Sequence, residues 1–217
     1  DKRNFTIVDV DGDGHKLQQY NRLLFCDSKK RIWAGGEMGI SVFNQVGTSL
    51  LPNTDFQIAS VLKQAFVNCF YETSSGYLWI GTRNGLFALK ESDKQFLQYT
   101  TENGLPSNVI YGILEDAYGR LWISTNQGLS CLNSESGKFR NFTIMDGLQG
   151  NQFNAGAYCR KDNGYMLFGG VNGITSFRPE TLIDNPYAPK PVINKLFVHN
   201  KEVLPDDETG ILKESIT

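Results

Sequence analysis

A twelve-residue pattern recurs four times along the 217 residues of the chain: IWAGGEMGISVF at 32–43, LWIGTRNGLFAL at 78–89, LWISTNQGLSCL at 121–132 and MLFGGVNGITSF at 166–177. The eighth position is always glycine (Gly39, Gly85, Gly128 and Gly173), and successive glycines lie 46, 43 and 45 residues apart. A period in this range is the mark of a repeat architecture. Each repeat is one supersecondary unit that hides its apolar face only by stacking on a neighbour.

The third copy shows what one unit contains. Residues 108–115 (NVIYGILE) are apolar, β-branched and aromatic, which predicts a strand. Residues 116–119 (DAYG) form a turn, because Asp bonds to its own backbone and Gly accepts positive φ. Residues 120–125 form a second strand, 126–128 a tight turn and 129–133 a third strand. Residues 138–143 (KFRNFT) alternate polar and aromatic, as a half-exposed outer strand does. Four strands joined by short turns make an antiparallel meander of the length of a propeller blade. The second copy repeats the plan at 66–72, 77–82, 86–90 and 95–99, and the first and fourth follow it imperfectly. The fold class expected is therefore all-β: about four four-stranded meanders forming a partial or small propeller. Trp33, Trp79 and Trp122, with Leu167 in the fourth copy, are expected to fill the gaps between blades, and the glycines to serve the turns.

After Phe177 the pattern breaks. Four prolines between 178 and 191 read as an extended linker. Residues 192–203 alternate apolar and polar around a turn at 199–201, the start of a new β unit. The organisation expected is a propeller segment over 1–182 (repeats near 20–60, 61–100, 105–145 and 150–180), a Pro-rich linker over 183–191, and the first strands of a β-sandwich over 192–217. The chain opens on NFTI (4–7), the same letters as 141–144 in an outer strand, so it reads as a segment of something longer. Four blades closing as a ring, with the first residues supplying the fourth blade's outer strand, is the alternative to a larger ring. The larger ring is favoured.

Lys and Arg number 21 against 23 Asp and Glu, a net charge of −2 with the signs interspersed. That distribution argues against nucleic acid as a partner. No apolar stretch reaches membrane-spanning length and no signal peptide is present. Cys26, Cys69, Cys131 and Cys159 show no CxxC or metal spacing and are expected to be buried small hydrophobes.

The strings EDAYGRLWISTNQGL (115–129) and GLPSNV (104–109) resemble the two-component regulator propeller repeat, and PKPVINKLFVHNKEV (189–203) resembles the opening of the triple-tyrosine, immunoglobulin-like domain that follows such propellers. The resemblance covers nearly the whole chain. It implies the periplasmic sensor region of a hybrid two-component histidine kinase of the kind common in gut Bacteroides. Such regions sense oligosaccharides and are followed by a membrane helix and cytoplasmic kinase parts, none of which is in this sequence. A homodimer is expected of the full-length receptor, and the membrane would be met only through that downstream helix. The first copy departs from the family at 27–31 (DSKKR) and the fourth at 160–164 (RKDNG), where the Asp-x-x-Gly turn is altered.

In a propeller the turn between strands two and three shares a face with the loops that join blades. That face collects Glu37, Arg83, Asn84, Asn126, Gln127 and Asn172 from the turns, and Asn108 and Asn151 from the loops. Amides, an Arg and a carboxylate suit the hydroxyls of a sugar or a carboxylated sugar. Turns also favour Asn and Gln for their own geometry, whereas no turn requires Arg, so Arg83 is the foremost candidate. Asp9, Asp11 and Asp13 match the first half of a calcium loop, but Tyr20 stands where the closing Glu belongs, so no cofactor is expected beyond this weak calcium candidate. No catalytic residues are expected: the two histidines, His15 and His199, lie near opposite ends, without a nucleophile or metal-ligand spacing. A propeller lyase or hydrolase, and a dimerising scaffold without a small ligand, are the competing functions.

Overall fold

The structure, a computed structural model, describes residues 21–47, 49–55, 57–90, 95–182 and 195–203. It divides into two compact units, residues 1–181 and 182–217. The first unit contains four antiparallel sheets, one for each copy of the sequence pattern. Blade one comprises β1 (Asn21–Cys26), β2 (Arg31–Gly36), β3 (Gly39–Val46) and β4 (Ser49–Pro52). Blade two comprises β5 (Val67–Glu72), β6 (Leu78–Thr82), β7 (Gly85–Lys90) and β8 (Gln95–Tyr99). Blade three comprises β9 (Ile110–Glu115), β10 (Leu121–Thr125), β11 (Gly128–Asn133) and β12 (Lys138–Phe142). Blade four has three strands among the described residues: β13 (Phe153–Arg160), β14 (Met166–Gly170) and β15 (Gly173–Phe177). In every blade the strands pair in sequence order, and the first strand carries a register shift near its start, between Asn21 and Leu23, Val67 and Cys69, Ile110 and Gly112, or Phe153 and Tyr158. The all-β reading holds.

The core lies between blades. Trp33, Val42, Val67, Phe70, Ile80 and Phe87 fill the first junction. Trp79, Leu86, Ile110, Ile113, Ile123 and Leu132 fill the second. The third is an aromatic stack in which the Trp122 ring sits 5.4 Å from Phe142 and 4.7 Å from Phe177, with Phe168 behind Phe177 at 6.2 Å. All three tryptophans are buried, as packing residues must be, whereas Leu167 at the same position in blade four is only half-buried. The turn glycines show why the pattern needs them. Gly85 and Gly128 adopt φ of 119° and 116°, and a Cβ on either would strike the carbonyl oxygen of Tyr99 or Phe142.

Three local expectations are corrected. A short helix, α1 (Gln57–Val61), links blades one and two, and Ile58, Leu62 and Ala65 from this stretch are buried in the first junction. The i, i+4, i+7 spacing of those three is a helical stripe, too short to stand out from a β-rich sequence. Cys69 and Cys131 are buried, but Cys26 and Cys159, on the first strands of the two outer blades, are exposed, and none of the four is in a disulfide. Pro179–Thr181 forms a turn of 3-10 helix rather than extended chain.

Among the described residues, apolar side chains on the outer faces of blades one and four are exposed. Leu24 of β1 is 76% exposed, whereas its counterparts Phe70 and Ile113 are buried against the preceding blade. Ile174 of β15 is 66% exposed, whereas Leu86 and Leu129 at that position are buried, Leu86 among residues of blade three.

In the second unit the described residues form a hairpin, β16 (Leu196–Val198) and β17 (Lys201–Val203). His199 and Asn200 turn it with φ of 51° and 62°, the pair of positive values that a tight two-residue hairpin requires. Most of the Pro-rich linker and the remainder of the expected sandwich lie outside the described residues.

Candidate functional site on the loop face

Each blade presents two turns at opposite ends, and the sequence treats them differently. The turn between strands one and two is scaffold. In blade three, Asp116 Oδ1 accepts hydrogen bonds from the backbone N–H of Tyr118 and Arg120, while Oδ2 accepts from Arg120 Nε at 2.7 Å and Trp122 Nε1 at 3.0 Å. Blade one repeats this around Asp27, with Arg31 Nε at 2.6 Å and Trp33 Nε1 at 2.8 Å. The carboxylate thus fixes the turn, the arginine and the core indole together. Burial alone would raise the Asp27 carboxyl, but the hydrogen bonds from Trp33 and Arg31 and the Arg31 charge outweigh it and hold it below the usual carboxylate range. A cavity of about 190 Å³ on this side is lined by Asp27, Lys29, Arg31, Glu72 and Lys90, a mixture of both signs.

The turn between strands two and three is where the copies differ. Thr82 and Thr125 are fully buried and play one structural part: each hydroxyl donates to the carbonyl of the turn glycine at 2.8 Å and accepts the N–H of Asn84 or Gln127. Blade four has Gly170 in place of the threonine, and the Gln149 side chain replaces the hydroxyl by accepting from Asn172 N at 2.8 Å. With the backbone held this way, the side chains of Arg83, Asn84, Gln127 and Asn172 are exposed and Glu37 is half-buried. The loops that join blades lie on the same side, since Gly85 N donates to Asn108 O and Gly128 N to Asn151 O.

Not every predicted residue is equally available. The Asn108 carboxamide oxygen accepts from Thr101 N and that of Asn151 accepts from Ile144 N, both at 2.8 Å. These bonds fasten the two 3-10 turns that follow β8 and β12, each capped by a threonine (Thr100, Thr143). Asn126 holds its Oδ1 buried without a hydrogen-bond partner, which sets it apart from the exposed Asn84 and Gln127. Asp9, Asp11 and Asp13 lie outside the described residues. Among the described residues no group of three or more His, Cys, Asp or Glu is placed to hold a metal ion.

Two residues that sequence reading left in the scaffold belong to this surface. The Arg83 guanidinium carbon stands 3.7 Å above the centroid of the Phe66 ring, and the Arg22 guanidinium carbon is 5.7 Å from the same centroid. Arg22 also reaches Glu37 at 3.7 Å, which joins both predicted charged residues of the first two turns to one aromatic ring. Phe66 carried a signal in retrospect, since the later copies have Val109 and Gln152 at its position.

Residues 62–84 and 104–127 match the two-component regulator propeller family. The chain is 30% identical over 222 residues to histidine kinase P4 of Formosa agariphila, a match that covers 99% of the chain but only 16% of that relative. Its fold matches the extracellular domain of a hybrid two-component system of B. thetaiotaomicron with a TM-score of 0.71 at 22% identity, over 93% of this chain and 28% of that one. Virginiamycin B lyase of Staphylococcus aureus shares the fold more loosely, with a TM-score of 0.51 at 18% identity over 73% of this chain and 55% of the lyase. No described helix is long and apolar enough to cross a membrane. Residues 62–84 and 104–127 thus match two-component regulator propeller repeats, in a chain whose fold is shared with the extracellular domain of a hybrid two-component system.

Proposed function

We propose that the chain is a non-catalytic, ligand-sensing segment of a periplasmic sensor region in a hybrid two-component histidine kinase, and that it responds to an oligosaccharide. The observation that carries this reading is the division of labour between the two ends of the blades. One end carries a buried Asp–Arg–Trp network in blades one and three, while the other holds backbones alike and varies the exposed side chains. A scaffold conserved within one molecule under a variable polar surface is the arrangement of a recognition face. Blades that continue beyond the exposed apolar side chains of blades one and four, into a larger ring, fit the same reading. The β16–β17 hairpin would begin the sandwich that passes the signal on, and a homodimeric receptor would carry it across the membrane.

A propeller enzyme is the alternative reading. Loss of a histidine accompanies catalytic inactivity in the similar lyase variant. Of the two histidines here, His199 is in the second unit and His15 lies outside the described residues. Titration calorimetry of the intact sensor region against a panel of oligosaccharides, with product analysis after incubation, tests the proposal. Saturable binding without turnover is expected. Turnover would support the enzyme, and absence of any binding would support the scaffold.

A further inference from the structure

We infer that Arg83, stacked on Phe66 with Arg22 beside it, is a subsite for an oxyanion, so that the saccharide sensed is acidic: carboxylated or sulfated. This rests on the ligand-sensing reading and specifies its chemistry.

The four copies provide an internal control. The position of Arg83 is occupied by Glu37, Asn126 and Val171 in the other blades, so the turn itself has no need of a guanidinium. The position of Phe66 is Val109 and Gln152 in the next two. Arg and Phe coincide at one junction only, and there the stacking distance is 3.7 Å. A guanidinium over an aromatic face is held by the ring quadrupole while its edge stays outward.

The backbone beneath is equally fixed. Arg83 N donates to Phe66 O at 3.0 Å, Thr82 secures the next residue, and Gly85 N is tied to Asn108 O at 2.8 Å. Ordering an arginine side chain in advance removes much of the entropic cost of binding through it. Yet the Arg83 side chain makes no hydrogen bond or ion pair with any described residue; its recorded contact is the ring. It offers five N–H donors in a planar fork, the complement of a carboxylate or sulfate edge.

Charge points the same way. Arg22 and Arg83 share the platform with one carboxylate, Glu37, which lies 3.7 Å from Arg22 in a partly exposed pair. Among these three groups one positive charge is left over, and it sits on the exposed, preordered Arg83. At the second junction Asn126 and Val109 stand in place of Arg83 and Phe66, so no guanidinium–ring pair can form there. A neutral sugar would use the amides nearby but would leave this charge unmatched. The shared chemistry is a planar or tetrahedral oxyanion on a sugar ring, and the two sources are told apart by experiment.

The test is calorimetry on the intact sensor region with trisaccharides of galactose, galacturonic acid and sulfated galactose. Binding of one acidic trisaccharide at least about tenfold tighter than the neutral one is expected, weakening as salt is raised. Arg83→Gln should lose that preference by about tenfold or more while melting at an unchanged temperature. Phe66→Leu, which keeps the charge but removes its platform, should lose part of it, whereas Asn84→Ala should weaken acidic and neutral trisaccharides alike and leave their ratio unchanged. Sulfated galactose alone as ligand identifies a sulfate subsite, and galacturonate alone a carboxylate one; either supports the inference. Saturable binding with no acidic preference, or an acidic preference unaffected by Arg83→Gln, overturns the subsite and leaves the sensing proposal standing. No binding of any saccharide overturns both.

Discussion

Glu115 accepts two hydrogen bonds from Ser74, one from the backbone N–H and one from the hydroxyl, both at 2.9 Å. The contact bridges blades three and two, and Glu72 does the same for Ser28 of blade one at 2.7 Å. At the third junction both partners change together: Ala117 stands in the serine position and Arg160 in the glutamate position, and Arg160 Nη1 instead donates to Glu115 O at 2.9 Å. Replacing Glu115, which is buried, by Ala is expected to destabilise by about 1–3 kcal/mol. Glu72→Ala, at a more exposed junction, should cost less. Chemical denaturation of the two variants checks the order.

Trp79 is the one tryptophan of the three whose buried indole N–H has no partner. Blade two has Thr73 and Tyr77 where blades one and three have the Asp and Arg of the network, and Thr73 Oγ1 is engaged with Ser75 and Tyr77. Installing the pair, Thr73→Asp with Tyr77→Arg, should satisfy the indole and stabilise by about 1 kcal/mol. Thr73→Asp alone should gain less, because the new carboxylate would lie near Glu115 without a compensating cation. Thermal melting of the single and double variants separates these outcomes.

Lys30 adopts φ of 62°, in the turn position where the other blades have Gly76, Gly119 and Gly164. A side chain in the left-handed region costs roughly 1 kcal/mol relative to glycine. Lys30→Gly is therefore expected to raise stability by about that amount, read as a higher denaturation midpoint at unchanged slope.

The depressed Asp27 carboxyl makes stability depend on pH with a definite sign. The native state favours the ionised form, so its contribution is complete above about pH 4 and is lost as pH falls through the lower native value. Asp27→Asn should lower stability at neutral pH and flatten the acid limb below about pH 4. Denaturation midpoints measured from pH 2 to 7 for both proteins give the comparison.

Much of this was readable in the sequence because the repeat was. The period placed the strands, Trp and Gly marked core and turn, and turn chemistry fixed which ends of the blades face together. The α1 helix escaped because five residues carry too little periodicity to compete with the strands around them. The Asp27 and Asp116 networks escaped in part: Asp was expected to cap its turn, but its reach to an indole six residues on depends on strand pairing that brings Trp33 and Trp122 back over the turn. Phe66 escaped because an aromatic at a strand start reads as core until the Arg83 side chain is seen lying on it. Glu37 and Arg83 were legible as charges that turns do not require, whereas the structural bonds of Asn108 and Asn151 join residues seven apart through a capped 3-10 turn.

The central claim is that recognition belongs to the variable face and not to the repeated one. Hydrogen–deuterium exchange of the intact sensor region, with and without the saccharide that binds best in calorimetry, tests it directly. Protection on binding is predicted at the strand-two to strand-three turns around Glu37, Arg83 and Gln127 and in the loop at 101–108, with the turns at Asp27, Thr73 and Asp116 unchanged. Protection confined to the Asp27, Thr73 and Asp116 turns would contradict the account.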